Sequence, residues 1–210
     1  MEPYTASTRS SAPVVVQTGT RELTTTYVNP ANYSVSVDYL LTGGPVLGLA
    51  GGNAVSDIGE TIKLANLSAS PLPFHFYQYS YFNLFGVSFD TVLLGKNPRG
   101  LYNDALQQNF GGALTETVTT PGANHGEVAP VGITLAKLNG GGPVTLDDFA
   151  GPFGPGAVTW AFEWDLDIAP GGSVIISKDK SLDAILIPEP SVPALLGVGV
   201  SALALRRRRS

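Results

Sequence analysis

From Phe162 to Ile168 apolar and acidic residues alternate without a break, and Trp160 extends the apolar set. Trp160, Phe162, Trp164, Leu166 and Ile168 share one parity; Ala161, Glu163, Asp165 and Asp167 share the other. A period of two marks an extended strand with one face in a core, because successive side chains point to opposite sides of a sheet. A helix would scatter both sets around its circumference, so this segment is read as β. Ala169-Pro170-Gly171-Gly172 then reads as a turn, and Ser173 to Ser177 as the returning strand of a hairpin.

The rest of the body follows the same pattern. Short strand-like runs cover Tyr33–Tyr39, Glu60–Leu67, Phe74–Phe85, Asp90–Leu94, Ala113–Val118, Val131–Leu138 and Val144–Leu146, with Gly, Pro and Asn between them. Asn103 to Phe110 is the one stretch that reads as a short helix. The 25 glycines and 16 prolines leave no room for long helices in the body. The expected fold is all-β: an antiparallel, jelly-roll-like β-sandwich over residues 21–187, followed by a C-terminal hydrophobic helix. Residues 1–20 are polar, lack an apolar stretch of signal-peptide length, and read as a disordered lead-in.

Charge and cysteine count narrow the chemistry. The net charge of −5 conceals a split, since four of the twelve Lys and Arg lie at 206–209. Residues 1–187 hold eight Lys and Arg against sixteen Asp and Glu, a balance of −8. An acidic body argues against nucleic acid as a partner. The absence of cysteine removes disulfides, thiol nucleophiles and cysteine-ligated zinc.

The tail carries an address. Pro188-Glu189-Pro190 precedes an uncharged, mostly apolar run that ends at Leu205, and Arg206, Arg207, Arg208 and Arg209 close it. The fourteen residues from Val192 to Leu205 span about 21 Å as a helix, short of a hydrocarbon core of about 30 Å. Arginine side chains can extend such a span to the interface and hold it with the basic end cytoplasmic. This order of three parts resembles the PEP-CTERM sorting signal of Gram-negative bacteria that make exopolysaccharide. The resemblance covers residues 188–210. It implies export, anchoring in the inner membrane, and processing by an exosortase-type membrane protease that recognises Pro188, Glu189 and Pro190. The body would then reach the cell surface or biofilm matrix. Because such proteins carry a signal peptide, the natural start is expected upstream of Met1. The strand Trp160–Ile168 with its Ala-Pro-Gly-Gly turn is similar to β ectodomains that accompany this signal.

Candidate chemistry in the body is sparse. Glu163, Asp165 and Asp167 share a strand face and could meet calcium, although a straight strand cannot wrap an ion by itself. The plainer expectation is a solvated acidic face. Glu116 and Glu127 join these three as possible halves of a glycosidase pair. His75, inside Phe74-His75-Phe76-Tyr77, reads as packed, and His125 reads as a loop residue. With fifty residues between them and no H-E-x-x-H, no metal site and no cofactor are expected. Tyr77, Tyr79 and Tyr81 could stack on sugar rings, each offering an apolar face and a hydroxyl. The nearest approach to a serine-hydrolase elbow, Gly86-Val87-Ser88-Phe89-Asp90, lacks the second glycine. The body is therefore read as a structural or carbohydrate-interacting surface module and not an enzyme. A polysaccharide-acting glycosidase and a calcium-dependent lectin are the alternatives.

Overall fold

A computed structural model describes residues 12–43, 53–86, 89–140, 142 and 144–185. The sorting motif, the apolar run and the arginine cluster lie outside these residues. Among the described residues no helix is long and apolar enough to cross a membrane.

The strands are β1 (Val14–Thr18), β2 (Glu22–Asn29), β3 (Tyr33–Gly43), β4 (Asn53–Asn66), β5 (Leu72–Tyr81) and β6 (Asp90–Lys96). They continue with β7 (Tyr102–Asn109), β8 (Gly112–Thr120), β9 (His125–Pro130), β10 (Phe153–Gly156), β11 (Val158–Ile168) and β12 (Ser173–Ile185). Among the described residues one helix, α1 (Ile133–Leu138), and a 3-10 turn at Leu84–Gly86 interrupt them. The strands form two antiparallel sheets, a nine-stranded one in the order β1-β2-β3-β4-β12-β8-β7-β6-β10 and a three-stranded one in the order β5-β11-β9. The all-β sandwich is as expected, with its strands divided nine to three.

Six local readings are corrected. Val144–Leu146, read as strand, has no regular structure, and His125, read as a loop residue, opens β9. Asn103–Phe110, read as helical, falls on β7, because Leu106 and Gln107 pair with Thr115 and Leu114 of β8. Val131–Leu138, read as strand, contains the helix Ile133–Leu138, entered through Gly132 at φ 88°, a left-handed conformation that glycine adopts without strain. Val14–Thr18, inside the expected lead-in, pairs with β2 as an edge strand. The hairpin reading of β11 and β12 also fails. β11 pairs with β5 and β9, whereas β12 pairs with β4 and β8 in the other sheet. The Ala-Pro-Gly-Gly turn is a corner between sheets, closed by Gly172 N–H donating to the Ala169 carbonyl at 2.8 Å. Buried Asn66 at the end of β4 fixes that corner: its amide donates to the carbonyls of Ile168 (2.8 Å) and Ala169 (3.2 Å).

Alternation on β11 is borne out on its inner face. Trp160, Phe162, Trp164 and Ile168 are buried against Val35, Val37, Ile62, Leu64, Val118 and Ile176 of the large sheet. Aromatic packing extends through Phe76, 5.7 Å from Trp164 between ring centroids, and Phe82, 5.7 Å from Trp160. Burying side chains of this size supplies the main driving force of a chain without disulfides.

Charge also enters that interior. Lys178 and Lys180, two apart on β12, point inward beside Glu60 of β4 and Glu116 of β8. Lys178 Nζ lies 2.7 Å from Glu60 and 2.8 Å from Glu116, and Lys180 Nζ lies 2.5 Å from Glu60. The small sheet completes the group. Trp160 Nε1–H donates to Glu116 at 2.9 Å and Gln78 Nε2 to Glu60 at 3.0 Å. Two cations, two anions and neutral donors satisfy one another where water is excluded, as burial of charge requires.

Candidate functional site

The outer face of the three-stranded sheet gathers the polar chemistry. Registration places His75 of β5 opposite Asp165 of β11, Tyr77 opposite Glu163, and Glu163 opposite His125 of β9. Three neighbouring strands thus bring both histidines of the chain to one patch. Cross-strand partners on one face have Cβ atoms about 4.5–5.5 Å apart, within reach for hydrogen bonding.

The distances bear this out. His75 Nδ1 lies 2.6 Å from Asp165 Oδ1 and 3.4 Å from Glu163 Oε1. His125 Nδ1 lies 2.9 Å from Asp148 Oδ2, and its Nε2 lies 3.6 Å from Asp165 Oδ2. The side chains of His75 (44% exposed), Asp165 (37%) and His125 (29%) are open to solvent, whereas Glu163 is fully buried beneath them.

Glu163 is buried because a segment crosses this face. Leu146 N–H donates to Glu163 Oε2 at 2.8 Å, and Tyr77 O–H donates to the Val144 carbonyl. Tyr102 O–H donates to the Asp148 carbonyl at 2.9 Å, while Val128 N–H donates to Phe149 O at 2.9 Å. α1 is tied to the same face through buried Glu127, which accepts from Thr134 Oγ1 at 2.5 Å, from Lys137 Nζ, and from Asp147 N–H at 2.9 Å. Asp148 sits at φ 57°, an uncommon conformation for a residue other than glycine. It holds the carboxylate that faces His125.

These neighbours set the ionisation. Burial, followed by the nearby Glu163 charge, pushes the Tyr77 hydroxyl up to about 12. Burial and the Asp148 charge do the same to Tyr102, also to about 12. The hydrogen bond to Asp148 raises His125, against an opposing effect of burial. Burial opposes the charged form of Asp148, but its bond to His125 prevails and lowers it.

The residues singled out in the sequence separate into three groups. Glu163 and Asp165 meet at the patch. Asp167, two residues further along the strand, pairs with Pro73 and lies outside the group that closes around His75. Glu116 and Glu127 are each buried in ion pairs of their own, with Lys178 and Lys137. The solvated acidic face is corrected at Glu163, which the crossing segment covers, and the packed His75 is corrected to a half-exposed one. Tyr77, Tyr79 and Tyr81 do share the outer face of β5 with His75, at alternate positions. His125 and Asp148 were missed as partners because neither strand register nor the path of the crossing segment is written in spacing.

No family model matches the chain, and no curated protein does either. Its fold is similar to that of an Escherichia coli K12 protein described as a putative aldose 1-epimerase. The two superpose with a TM-score of 0.53 at 13% identity, over 83% of this chain and 69% of that one. At that identity the likeness is one of fold. It corrects the expectation that the body is not an enzyme, since this architecture occurs in a protein described as a putative aldose 1-epimerase.

Proposed function

We propose that the body is a carbohydrate-processing domain whose sugar site is the outer face of the three-stranded sheet. The observation that carries this reading is the continuity of Tyr77, Tyr79 and Tyr81 with the His75–Glu163–Asp165–His125 patch on that face. Tyrosine rings offer flat apolar surface to a pyranose ring, and the patch offers acceptors to its hydroxyls. The His125–Asp148 pair is the kind of group that exchanges protons with a sugar hydroxyl. The likeness in fold to a protein described as a putative aldose 1-epimerase supports aldoses as the first class to test.

The test is saturation-transfer NMR with D-glucose, D-galactose and short glucans, on protein treated with a chelator. Sugar signals are expected. Tyr81→Ala, at a 46% exposed ring, is expected to weaken binding about three- to tenfold, the loss of one aromatic contact of about 0.5–1.5 kcal/mol. Exchange between sugar anomers, followed on the same samples, should run faster than in buffer. Absence of binding by all three classes rejects the reading; binding without faster exchange rejects epimerisation.

The tail belongs to the same proposal. We infer that residues 188–210 form the helical sorting and anchoring signal that their resemblance implies, and that the domain acts at the cell surface or in an exopolysaccharide matrix. Mass measurement of the C-terminus, after expression with an exosortase, is expected to find residues beyond the motif removed. An intact Ser210 on cytosolic protein rejects export.

A further inference from the structure

We propose that His75, Glu163 and Asp165, with His125 at their edge, form a binding site for a divalent transition-metal ion such as zinc. The inference concerns the ion alone and stands whether or not a sugar binds.

The first argument is geometric. One ligand atom from each of His75, Glu163 and Asp165 lies within 4.8 Å of the others. Donors held about 2.0–2.2 Å from a tetrahedral zinc lie roughly 3.3–3.6 Å from one another. The 3.4 Å between His75 Nδ1 and Glu163 Oε1 and the 3.6 Å between His125 Nε2 and Asp165 Oδ2 fit that spacing. The 2.6 Å contact between His75 and Asp165 is a hydrogen bond, which an ion would open by about 1 Å to reach the same spacing.

The second argument is an unused acceptor. Glu163 is fully buried, and its Oε1 has no hydrogen-bond partner among the described residues, although Oε2 accepts from Leu146 N–H. A buried carboxylate oxygen left without a partner costs free energy, and coordination to a cation would satisfy it. Oε1 is turned toward His75 and so toward the proposed ion.

The third argument is support from a further residue. His125 faces the patch with Nε2 while its Nδ1 bonds to Asp148. Metal-binding histidines commonly donate their second ring nitrogen to a carboxylate, which fixes the tautomer and ring orientation. Two imidazoles and two carboxylates suit zinc or a neighbouring transition metal better than calcium, which takes six to eight oxygens. Solvent reaches His75, Asp165 and His125, so an entry path exists.

The experiment is calorimetric titration of tag-free protein with zinc sulfate, with no sugar present. Because the sequence has no cysteine and two histidines, no competing imidazole or thiolate site can account for a signal. One zinc per chain is expected. His75→Ala and Glu163→Gln should each weaken binding at least tenfold, and Asp148→Asn should weaken it about ten- to a hundredfold through His125. His75 is half exposed, so its variant keeps the test valid if Glu163→Gln unfolds. Cobalt(II) should give visible absorption bands that His75→Ala removes. Absence of one-to-one zinc binding overturns the proposal, as does binding unchanged in His75→Ala. Calcium binding in preference to zinc overturns the assignment to imidazole ligands. The sugar titrations use chelator-treated protein, so either reading can fail without the other.

Discussion

Glu116→Ala is expected to cost about 3–5 kcal/mol of folding stability, as removal of one partner from a buried ion pair does. Glu116 is buried in the inter-sheet space, where it faces Lys178 and accepts from Trp160 Nε1–H and, at 3.4 Å, from Ser80 Oγ. Its loss leaves two buried lysines sharing Glu60. Domains of this kind are stable by about 5–15 kcal/mol, so a single substitution would remove a large share. Urea unfolding followed by tryptophan fluorescence measures it, since Trp160 sits on the cluster. A loss under about 1 kcal/mol would show that Glu60 alone carries both lysines. The same cluster makes the wild type acid-sensitive. Burial raises the Glu60 carboxyl, but Lys178 and Lys180 outweigh it and hold it below its ordinary 4.5. A lowered folded value means the stabilisation is complete above about pH 4.5 and is lost as the pH falls through the lower folded value. For Lys180, burial acts downward, yet Glu116 and Glu60 prevail and hold it above the ordinary lysine range. The Lys180 contribution is therefore intact throughout that acid window.

Trp164→Ala is the second large effect, also about 3–5 kcal/mol, from lost transfer free energy and the cavity left behind. The ring is fully buried, lies 6.0 Å from Phe162 and 5.7 Å from Phe76, and donates Nε1–H to the Pro121 carbonyl at 2.9 Å. That last bond reaches the turn leading into β9. On the same turn Asn124 N–H donates to Glu163 O at 2.8 Å, and Asn124 Oδ1 accepts from Asp165 N–H at 2.9 Å. The substitution should therefore loosen His125 as well as the core. Hydrogen exchange at His125 and Asp165 is expected to quicken beyond the global change in stability. If exchange there follows global unfolding alone, the ring is core and nothing more.

The alternation at Trp160–Ile168 was legible because a period of two has one structural meaning once a core exists. So were the all-β class and the shared face of Tyr77, Tyr79 and Tyr81, which parity along one strand decides. Asn103–Phe110 was not: its Ala105-Leu106 pair between polar residues fits either a helical turn or a strand, and only pairing with β8 decides between them. Val131–Leu138 failed in the opposite sense, because a six-residue helix has too few turns to show its period. The return strand Ser173–Ser177 was read as a strand, correctly, but assigned to the wrong sheet.

By itself, then, the sequence determined what each strand shows to its two sides, because side-chain parity is a local property of the backbone. Tertiary structure decided which strands are neighbours, since register and sheet membership come from contacts distant in the chain. Lys178 and Lys180 stand two apart on one face of β12, and only the placement of β4 and β8 brings Glu60 and Glu116 to them. His75 and His125 stand fifty residues apart in sequence, and they meet at Asp165 because β11 pairs with both of their strands.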